Sequence, residues 1–401
     1  MMNRWKIYKL SDIADVQTGP FGSQLHQRDY VDVGTPCIMP CNIGANLDVQ
    51  TDNIAHLKAS DIIRLNKYCV KEGDIIYSRR GDIEKCAYIN HLQEGWLCGT
   101  GCLRIRPNTS ICFPKYLAYL LSTKESKKWI VANAVGTTML NLNSSILNTM
   151  PISLPPLAEQ KRIADILSAI DDKIELNRRI NANLEQQAQA LYKSWFVDFE
   201  PFGGKMPEDW RVGTISNIVD LLNGFAFKSS DFVEKGLYKL ITIKGVQDGN
   251  MSLDGADCLD IIPPKMPQWC KLKKEDILLS LTGNVGRCCL VDTENCLLNQ
   301  RVAKLHPKEE YNRLFVYALF RQEDMKARMI SIARGTAQMN LSPIETGKLP
   351  LIIPSNEVLK DFGNRFNNII HTLTNNIVES SYLAQLRDTL LPKLMSGEIK
   401  V

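Results

Sequence analysis

The stretch from Pro155 to Phe199 constrains this chain more than any other, because it predicts one long helix. Neither Gly nor Pro interrupts it after Pro156, and it is rich in Ala, Leu, Glu, Gln, Lys and Arg, which favour helix. From Ile170 to Trp195 its seam residues alternate in steps of four and three, the heptad pattern of a helix that packs along a partner helix. About 40 residues at roughly 1.5 Å each span about 60 Å, more than a globular domain needs for its own core.

The sequence also repeats itself, with an offset of about two hundred residues. W-K-I-Y-K-L-S-D-I-A-D-V from Trp5 corresponds to W-R-V-G-T-I-S-N-I-V-D-L from Trp210, and G-T-T-M-L-N-L-N corresponds to G-T-A-Q-M-N-L-S. V-K-E-G-D-I-I-Y-S-R-R-G-D-I from Val70 corresponds to L-K-K-E-D-I-L-L-S-L-T-G-N-V-G from Leu272. Each copy of this last segment predicts a polar turn, a short apolar strand and a loop closed by glycine.

A second long helix is predicted after the second repeat, from near Asn356 to about Gly397. A constant shift aligns its apolar seam with that of the first helix and brings Asn177 into register with Asn376, so this pair is a candidate register lock. Two matching seams in one chain bury most simply against each other as an antiparallel pair. Pro392 is expected to kink the last turns.

The predicted architecture is therefore a globular head, a helix, a second head and a second helix. We assign residues 1–154 to the first head, 155–199 to the central helix, 200–354 to the second head and 355–401 to the C-terminal helix. Each head mixes short strands with short helices, so the fold class is α+β. The repeat makes the molecule pseudo-symmetric, with two similar α/β heads separated by two long helices that pair as an antiparallel coiled coil.

Composition restricts the function only weakly. The chain has 401 residues, of which 44% are hydrophobic and 23% charged, and its net charge is +4, so a polyanion partner requires basic residues concentrated on one face. No segment has the apolar length of a signal peptide or membrane span, so we expect a cytoplasmic protein without a membrane partner. The twelve cysteines are then expected to be thiols, and the C-x3-C spacing favours buried thiols over the alternative of a zinc site.

Signatures of catalysis are missing from the sequence. It has no G-x4-G-K-[ST], no G-x-S-x-G and no H-E-x-x-H, and its five histidines form no spaced cluster. An Asn-Pro-Pro-aromatic motif, which would cradle an amino group for methyl transfer, is also missing. We therefore predict no catalytic residue, no metal and no cofactor, and an enzyme active on its own is disfavoured.

Two similar heads on a rigid spacer suit a ligand with two sites at a fixed distance. Duplex DNA is such a ligand, because about 60 Å spans roughly one and a half to two helical turns. Candidate base contacts are Gln24, Arg28, Arg79 and Arg80 in the first head and Lys228, Ser229, Thr282, Asn284 and Arg287 in the second. Candidate phosphate contacts are Arg104, Arg106, Lys124, Lys127 and Lys128. For any single residue the alternative is a solvated surface position.

The alignment of the two repeats separates the frame of the heads from their chemistry. Arg79 and Arg80 correspond to Leu281 and Thr282. Domains that share a fold but differ in these residues are expected to recognise different sequences.

Further motifs lie in and beside the long helices: P-P-L-A-E-Q-K-R-I-A at Pro155, W-F-V-D-F-E-P at Trp195 leading to P-E-D-W-R-V at Pro207, and L-R-D-T-L-L-P-K-L-M-S-G-E-I at Leu386. They resemble the repeated helical regions of type I restriction-modification specificity subunits. The resemblance covers the whole chain. One departure is S-N-E-V from Ser355, where the A-E-Q of the first copy is lost, and different contacts are expected there.

The resemblance implies that each head is a target recognition domain that reads one half of an asymmetric bipartite site in double-stranded DNA. The paired helices would set the gap and dock two modification subunits, which carry S-adenosylmethionine and methylate adenine. Restriction subunits would add ATP-driven translocation and cleavage, and neither cofactor would bind this chain. The candidate partner surface is the outer face of the central helix, with Glu159, Gln160, Arg162, Arg178 and Arg179. The alternative function is a two-headed protein-binding scaffold without base-specific recognition.

Overall fold

A computed structural model describes residues 5–136, 140–335 and 338–401. The chain divides into two compact units, one formed by Met1–Asp172 with Leu383–Val401 and the other by Lys173–Tyr382. Each unit contains one head and a part of both long helices. The predicted match of G-T-T-M-L-N-L-N with G-T-A-Q-M-N-L-S lies partly outside the described residues. None of the helices in the described ranges combines the length and apolar character of a membrane span.

The first head is built on two four-stranded sheets and a two-stranded ribbon. The antiparallel main sheet has the spatial order Ala14–Thr18, Cys102–Pro107, Ile75–Ser78 and Cys86–Tyr88. The smaller sheet has the order Tyr30–Val31, Ala55–Leu57, Thr35–Ile38 and Leu97–Cys98, and the ribbon pairs Lys6–Lys9 with Pro151–Leu154. The helices are Leu10–Ile13, Ala59–Arg64, Pro114–Ser122, Lys124–Asn133 and Ser144–Asn148.

The second head repeats this plan with one strand fewer in its smaller sheet. Its main sheet has the order Val219–Asn223, Val302–Pro307, Ile277–Ser280 and Cys288–Leu290. The smaller sheet has the order Cys258–Leu259, Tyr238–Ile241 and Cys296–Leu298, and the ribbon pairs Arg211–Thr214 with Pro350–Ile353. The helices are Arg313–Phe320, Glu323–Ile332 and Pro343–Gly347. The predicted repeat of one α+β fold is confirmed.

Backbone hydrogen bonds show that the two main sheets also share their register. In the first head Ile75 lies opposite Ile105, and in the second head Ile277 lies opposite Leu305. Both central strands are fully buried, as expected of a short apolar run with neighbours on each side.

The shared register continues into the loops that follow the central strands. The N–H of Arg79 donates to the carbonyl of Gly101 at 2.8 Å, and the N–H of Leu281 donates to the carbonyl of Arg301 at 3.0 Å. The predicted alignment of Arg79 with Leu281, and therefore of the residues that follow them, is confirmed.

The central helix spans Leu157–Phe196, which confirms the prediction from the uninterrupted run of helix formers. The C-terminal stretch is helical over Asn356–Phe366 and Asn368–Met395, which confirms the predicted second long helix, with a one-residue turn at Asn367. The side chain of Asn367 accepts from the N–H of Leu314 at 3.0 Å. It also donates to the carbonyls of Glu310 and Tyr311, in the turn that precedes Leu314. The backbone keeps its helical bond here, from the N–H of Asn367 to the carbonyl of Gly363 at 2.9 Å, so the side-chain bonds tie the turn to the second head without ending the helix.

Within the second unit the two long helices run antiparallel. Asn376 donates to the amide oxygen of Asn181 at 2.8 Å, and farther along the central helix Trp195 packs edge-on against Phe366 at 5.8 Å. The sequence numbers rise on one helix as they fall on the other, so the predicted antiparallel pairing is confirmed.

A polar cluster interrupts the apolar seam in this unit. Asn177 is only 1% exposed, and its amide N–H groups donate to Glu379 at 2.7 Å and to Ser380 at 3.3 Å. Lys173 donates to the amide oxygen of Asn177 at 3.0 Å and pairs with Glu379 at 3.0 Å. The hydrogen bonds from Asn177 and Lys173 lower the pKa of Glu379. A buried polar group of this kind costs stability when its partners are shifted, which favours one register.

Each head is tied to a long helix by a tyrosine and a carboxylate. In the first unit Tyr119 donates to Asp171 at 2.5 Å, and Arg387 pairs with the same carboxylate at 2.9 Å. In the second unit the hydroxyl of Tyr317 donates to Glu185 on the central helix. These partly buried bonds fix the orientation of each head on its own helical segment.

The W-F-V-D-F motif serves packing in the second unit. Phe196 lies 5.9 Å from Trp210 and 4.9 Å from Phe362, and Trp195 lies 5.4 Å from Phe362. The core of the first unit instead takes apolar side chains from both helices, namely Ile163, Ala164, Leu167, Leu394 and Met395. Each head therefore depends on both long helices for its core.

Candidate nucleic-acid interface

In the first head, Arg79 stands at the end of the buried strand Ile75–Ser78. Its carbonyl accepts from the N–H of Leu142 at 2.9 Å, which holds the backbone beside a loop. The guanidinium lies 5.8 Å from the ring centre of Phe21, a side chain that is 56% exposed. Its Nε is buried without a hydrogen-bond partner among the described residues. Burial, and next the charge of Arg80, lower the pKa of Arg79, so an anion or acceptor placed here would stabilise its charge.

Arg80 continues from the same strand end into solvent. Its backbone forms a β-bridge with Asn141, and its exposed side chain makes no hydrogen bond or ion pair with the described residues. Arg79, Arg80 and Phe21 together form a basic and aromatic edge. Phe21 was missed by the sequence analysis, although an aromatic residue between Pro20 and Gly22 in a glycine turn was a usable signal.

In the second head the same strand end borders a polar recess of about 390 Å³. It is lined by Thr282, Gln300, Arg301, Gln338 and Asn340. Thr282 is buried, and its hydroxyl donates to the amide oxygen of Asn340 at 2.9 Å. The sequence analysis identified Thr282 but missed the other four, because it did not consider the neighbouring segments at 300–301 and 338–340.

Two of the candidate phosphate contacts are engaged inside the first head. Arg104 is 5% exposed and pairs with Asp15 at 2.9 Å, and Arg106 pairs with the buried Asp74 at 2.6 Å. The hydrogen bond to Asp74 raises the pKa of Arg106. The prediction that Arg104 holds a phosphate was wrong, because its buried guanidinium braces the main sheet. The side chain of Arg106 is a third exposed beside its ion pair, so its phosphate contact stays a prediction. Lys124, Lys127 and Lys128 remain on the helix Lys124–Asn133, where Lys124 and Lys128 are exposed.

The family model of the type I restriction modification DNA specificity domain matches this chain twice, over residues 2–186 and 207–379. This chain belongs to that family. It is 25% identical over 475 aligned residues to the HindI specificity subunit of Haemophilus influenzae, covering 99% of this chain and 100% of that one. It is 24% identical over 421 residues to the MjaIX specificity subunit of Methanocaldococcus jannaschii, covering 99% and 94%.

The fold agrees with a solved member of the family. The S subunit of the type I restriction-modification system of M. genitalium has a TM-score of 0.63 and 19% identity, with 98% of this chain and 97% of that chain covered. The resemblance seen in the sequence is confirmed. As a specificity subunit, the chain provides DNA sequence specificity and is not itself an enzyme, which rules against the scaffold alternative.

The remaining candidates in the first head of this specificity subunit differ in how free they are. The amide oxygen of Gln24 accepts from the hydroxyl of Tyr68 at 2.7 Å, and its carbonyl accepts from Arg64 at 2.6 Å. Gln24 is thus held against the segment that carries Arg64 and Tyr68, whereas Arg28 is exposed in the short turn Gln27–Asp29. The structure brings Arg79 and Arg80 together with Phe21 and leaves Gln24 in a separate set of contacts.

In the second head, Lys228 and Ser229 are exposed where the turn Ser229–Asp231 begins. Arg287 is less available, because its guanidinium donates to Gln247 at 2.6 Å and its N–H donates to Ser280 at 3.0 Å. The amide oxygen of Asn284 faces the same guanidinium at 3.2 Å when it is oriented to accept from it. Arg287 therefore supports this loop from inside.

The partner surface predicted on the central helix is altered by one residue. Gln160 is 1% exposed, accepts from the N–H of Phe113 at 2.8 Å and donates to the carbonyl of Ile111 at 3.1 Å. Its assignment to the outer face was wrong, because the amide satisfies the backbone of a head loop. Glu159 is half-buried, whereas Arg162 is exposed.

Farther along this helix, Arg178 and Arg179 are exposed and share one carboxylate. Both pair with Glu175 at 2.7 Å. The hydrogen bond from Arg178, reinforced by Arg179, lowers the pKa of Glu175 to about 2. The pair therefore presents a positive but partly compensated face.

All twelve cysteines are unbridged, and most are buried. Burial raises the pKa of Cys37 to about 12 and that of Cys86 to about 12, which keeps these thiols protonated and unreactive. Within the described ranges no group of three or more His, Cys, Asp or Glu residues is arranged to hold a metal ion.

Proposed function

We propose that each head of this specificity subunit is a target recognition domain that reads one half of an asymmetric bipartite site in double-stranded DNA. The observation that supports this is the matched strand end, where Arg79 and Arg80 in one head correspond to Leu281 and Thr282 in the other. A shared backbone with different donors and acceptors is what two different half-sites require. Residues 1–154 and 200–354 are the proposed recognition domains.

In each head we choose the base contacts by how exposed each candidate side chain is and how few hydrogen bonds it makes within the protein. In the first head they are Arg79 and Arg80, with Arg28 and Gln24 as supporting contacts. In the second head Lys228, Ser229, Thr282, Asn284 and Arg287 line or support the recognition surface, with Arg287 acting through the loop that it holds. A half-buried arginine beside an aromatic ring, followed by an exposed arginine, suits contacts to both base edges and phosphates.

The helices, 155–199 and 355–401, are the proposed spacer that sets the gap between the half-sites. A continuous helix and a buried polar register, centred on Asn177, are what a spacer of fixed length needs. We further propose that two modification subunits dock on this spacer, through an outer face that includes Glu159, Arg162, Arg178 and Arg179. Restriction subunits are further partners, S-adenosylmethionine and ATP belong to those subunits, and the assembly works beside DNA in the cytoplasm.

The test uses the chain assembled with its modification subunits on a library of random-sequence duplexes. The expected result is enrichment of a two-part motif. Replacing Arg79 and Arg80 together with Ala should relax the preference in one half only, with discrimination falling by about 1–3 kcal/mol for each lost bidentate contact. The matched control is Lys348→Ala, an exposed cation that pairs with Glu345.

Two results would contradict the proposal. Failure of the wild-type complex to enrich any two-part motif would remove the reading of half-sites. Equal weakening of both halves by the double variant, with a shallower salt dependence, would instead identify the two arginines as phosphate contacts.

A further inference from the structure

The turn that leads into Cys102–Pro107 in the first head and the turn that leads into Val302–Pro307 in the second are closed by the same backbone hydrogen bond. The N–H of Cys102 donates to the carbonyl of Gly99 at 3.2 Å, and the N–H of Val302 donates to the carbonyl of Asn299 at 3.0 Å. Counting within these turns, Gly101 of the first head corresponds to Arg301 of the second. The position whose carbonyl accepts the hydrogen bond from the strand end is therefore a glycine in the first head and an arginine in the second.

Backbone conformation explains why this wall carries no side chain in the first head. Gly101 has a φ of 88°, in the region that favours glycine, and a Cβ there would lie 3.2 Å from Cγ of Pro40. Arg301 is not among the residues with positive φ, so its turn accepts a side chain. At the strand end of the second head, the buried residues Leu281 and Thr282 replace Arg79 and Arg80.

Arg301 is exposed and uncommitted, unlike most of the cations around it. Lys304 on the same strand pairs with Asp276 at 2.7 Å, and Arg287 donates to Gln247. The guanidinium of Arg301 makes no hydrogen bond or ion pair with the residues that the structure describes, and it borders the recess of about 390 Å³. An arginine that is held only by its backbone, beside a polar recess, has its five donors available for a ligand.

The recess offers donors in a favourable arrangement. The amide oxygen of Asn340 is occupied by the hydroxyl of Thr282, so the side of this amide that is left for a ligand is its NH2 group. Gln300 and Gln338 complete the polar lining beside Arg301. In the major groove guanine presents two acceptors, N7 and O6, on one edge, and a planar arginine fork matches them in pairs.

We propose that Arg301 is a specificity-determining residue of the second head, and that it contacts the major-groove edge of a guanine in the half-site this head reads. The inference rests on the proposed function, because it requires each head to read one half-site. Arginine then contacts bases in both heads, but from different elements. In the first head Arg79 and Arg80 follow the central strand, and in the second head Arg301 precedes the neighbouring strand.

The test compares Arg301→Ala, Arg301→Lys and the wild-type chain, each assembled with the modification subunits on random-sequence duplexes. Arg301→Ala should lower discrimination at one G·C pair of a single half-site by about 5- to 150-fold, while the other half-site stays unchanged. Arg301→Lys keeps the charge but loses the planar fork, so it should lose that preference almost as fully while total DNA affinity falls less. Unchanged discrimination at the other base pairs of the same half-site shows that the second head is folded in these variants.

Each other outcome overturns the inference in a recognisable way. If Arg301→Lys behaves like the wild type and Arg301→Ala weakens all sequences equally, Arg301 is a phosphate contact. If Arg301→Ala changes nothing, while the variant at Arg79 and Arg80 relaxes one half-site, the inference fails and the proposed function stands. If the wild-type complex selects no two-part motif, the proposed function itself fails.

Discussion

The main sheets of the two heads have the same backbone arrangement but carry different side chains. Their main sheets share strand order and register, and a carboxylate that precedes the central strand is neutralised in both. The cation, however, is Arg106 for Asp74 and Lys304 for Asp276, and these occupy different positions of the equivalent strands. The frame therefore depends on backbone hydrogen bonds and on charge balance, and it tolerates exchange of the individual side chains that project from it.

The largest expected effect separates the heads by the helical segments that complete their cores. Leu394 is 1% exposed in the core of the first unit, and Leu373 is 2% exposed in that of the second. Leu394→Ala should destabilise the first unit by about 2–5 kcal/mol, and Leu373→Ala should destabilise the second by a similar amount. Amide hydrogen exchange, followed separately in the two sheets, measures both. An equal loss of protection in both sheets from either variant would contradict this division.

A prediction of intermediate size tests why the turn before the neighbouring strand carries glycine in the first head and arginine in the second. Gly101→Ala adds a side chain at a φ of 88° and 3.2 Å from Pro40, so it should cost about 1–2 kcal/mol of unfolding free energy. Arg301→Ala, at the equivalent turn of the second head, should change the free energy of unfolding by less than about 0.5 kcal/mol. Chemical denaturation of the two variants makes the comparison. If both variants cost the same, the conformational explanation is wrong.

The smallest effect concerns one acid that distinguishes the heads. Asp292 follows Val291, whose N–H donates to the carbonyl of Asp276, and Asn90 holds the equivalent place after Ile89. Burial raises the pKa of Asp292 from 3.8 to about 6. Because the folded state binds this proton more tightly, the contribution to stability is present below about pH 4 and is lost as the pH rises through about 6.

Asp292→Asn should therefore remove this pH dependence and stabilise the second head at pH 7 by about 1 kcal/mol, after allowance for partial exposure. The measurement is the unfolding free energy of the second unit between pH 4 and pH 8, with the exposed Asp209→Asn as the matched control. A variant that keeps the wild-type pH profile would show that Asp292 titrates normally.

Local sequence signals predicted the long helix and the repeat because both depend on many residues acting together. The central helix, Leu157–Phe196, follows from an unbroken run of helix formers, and the shared strand order follows from matched apolar runs. The side-chain hydrogen bonds of the turn at Asn367 were not predictable in this way, because their partners lie more than fifty positions away in the sequence.

The candidate sites were predicted less well for a related reason. Arg104 and Gln160 are residue types that usually lie at the surface. Only the packed structure shows that Arg104 pairs with Asp15 and that Gln160 hydrogen-bonds to a loop backbone. Arg301 was missed because the comparison of the repeats followed the positions of Arg79 and Arg80, whereas a side chain can enter the same space from the neighbouring strand. Sequence alignment pairs positions in the chain and not volumes in space.

The division of the chain into units bears on its synthesis. The second unit is the continuous stretch Lys173–Tyr382, whereas the first joins Met1–Asp172 to Leu383–Val401. The first head therefore leaves the ribosome first but completes its core last, when Leu394 and Met395 become available. Until then its apolar face is uncovered and a target for chaperones and proteases. Translation that stops early would thus yield molecules with a finished second head and an unfinished first one, which protein quality control can remove before they compete for DNA.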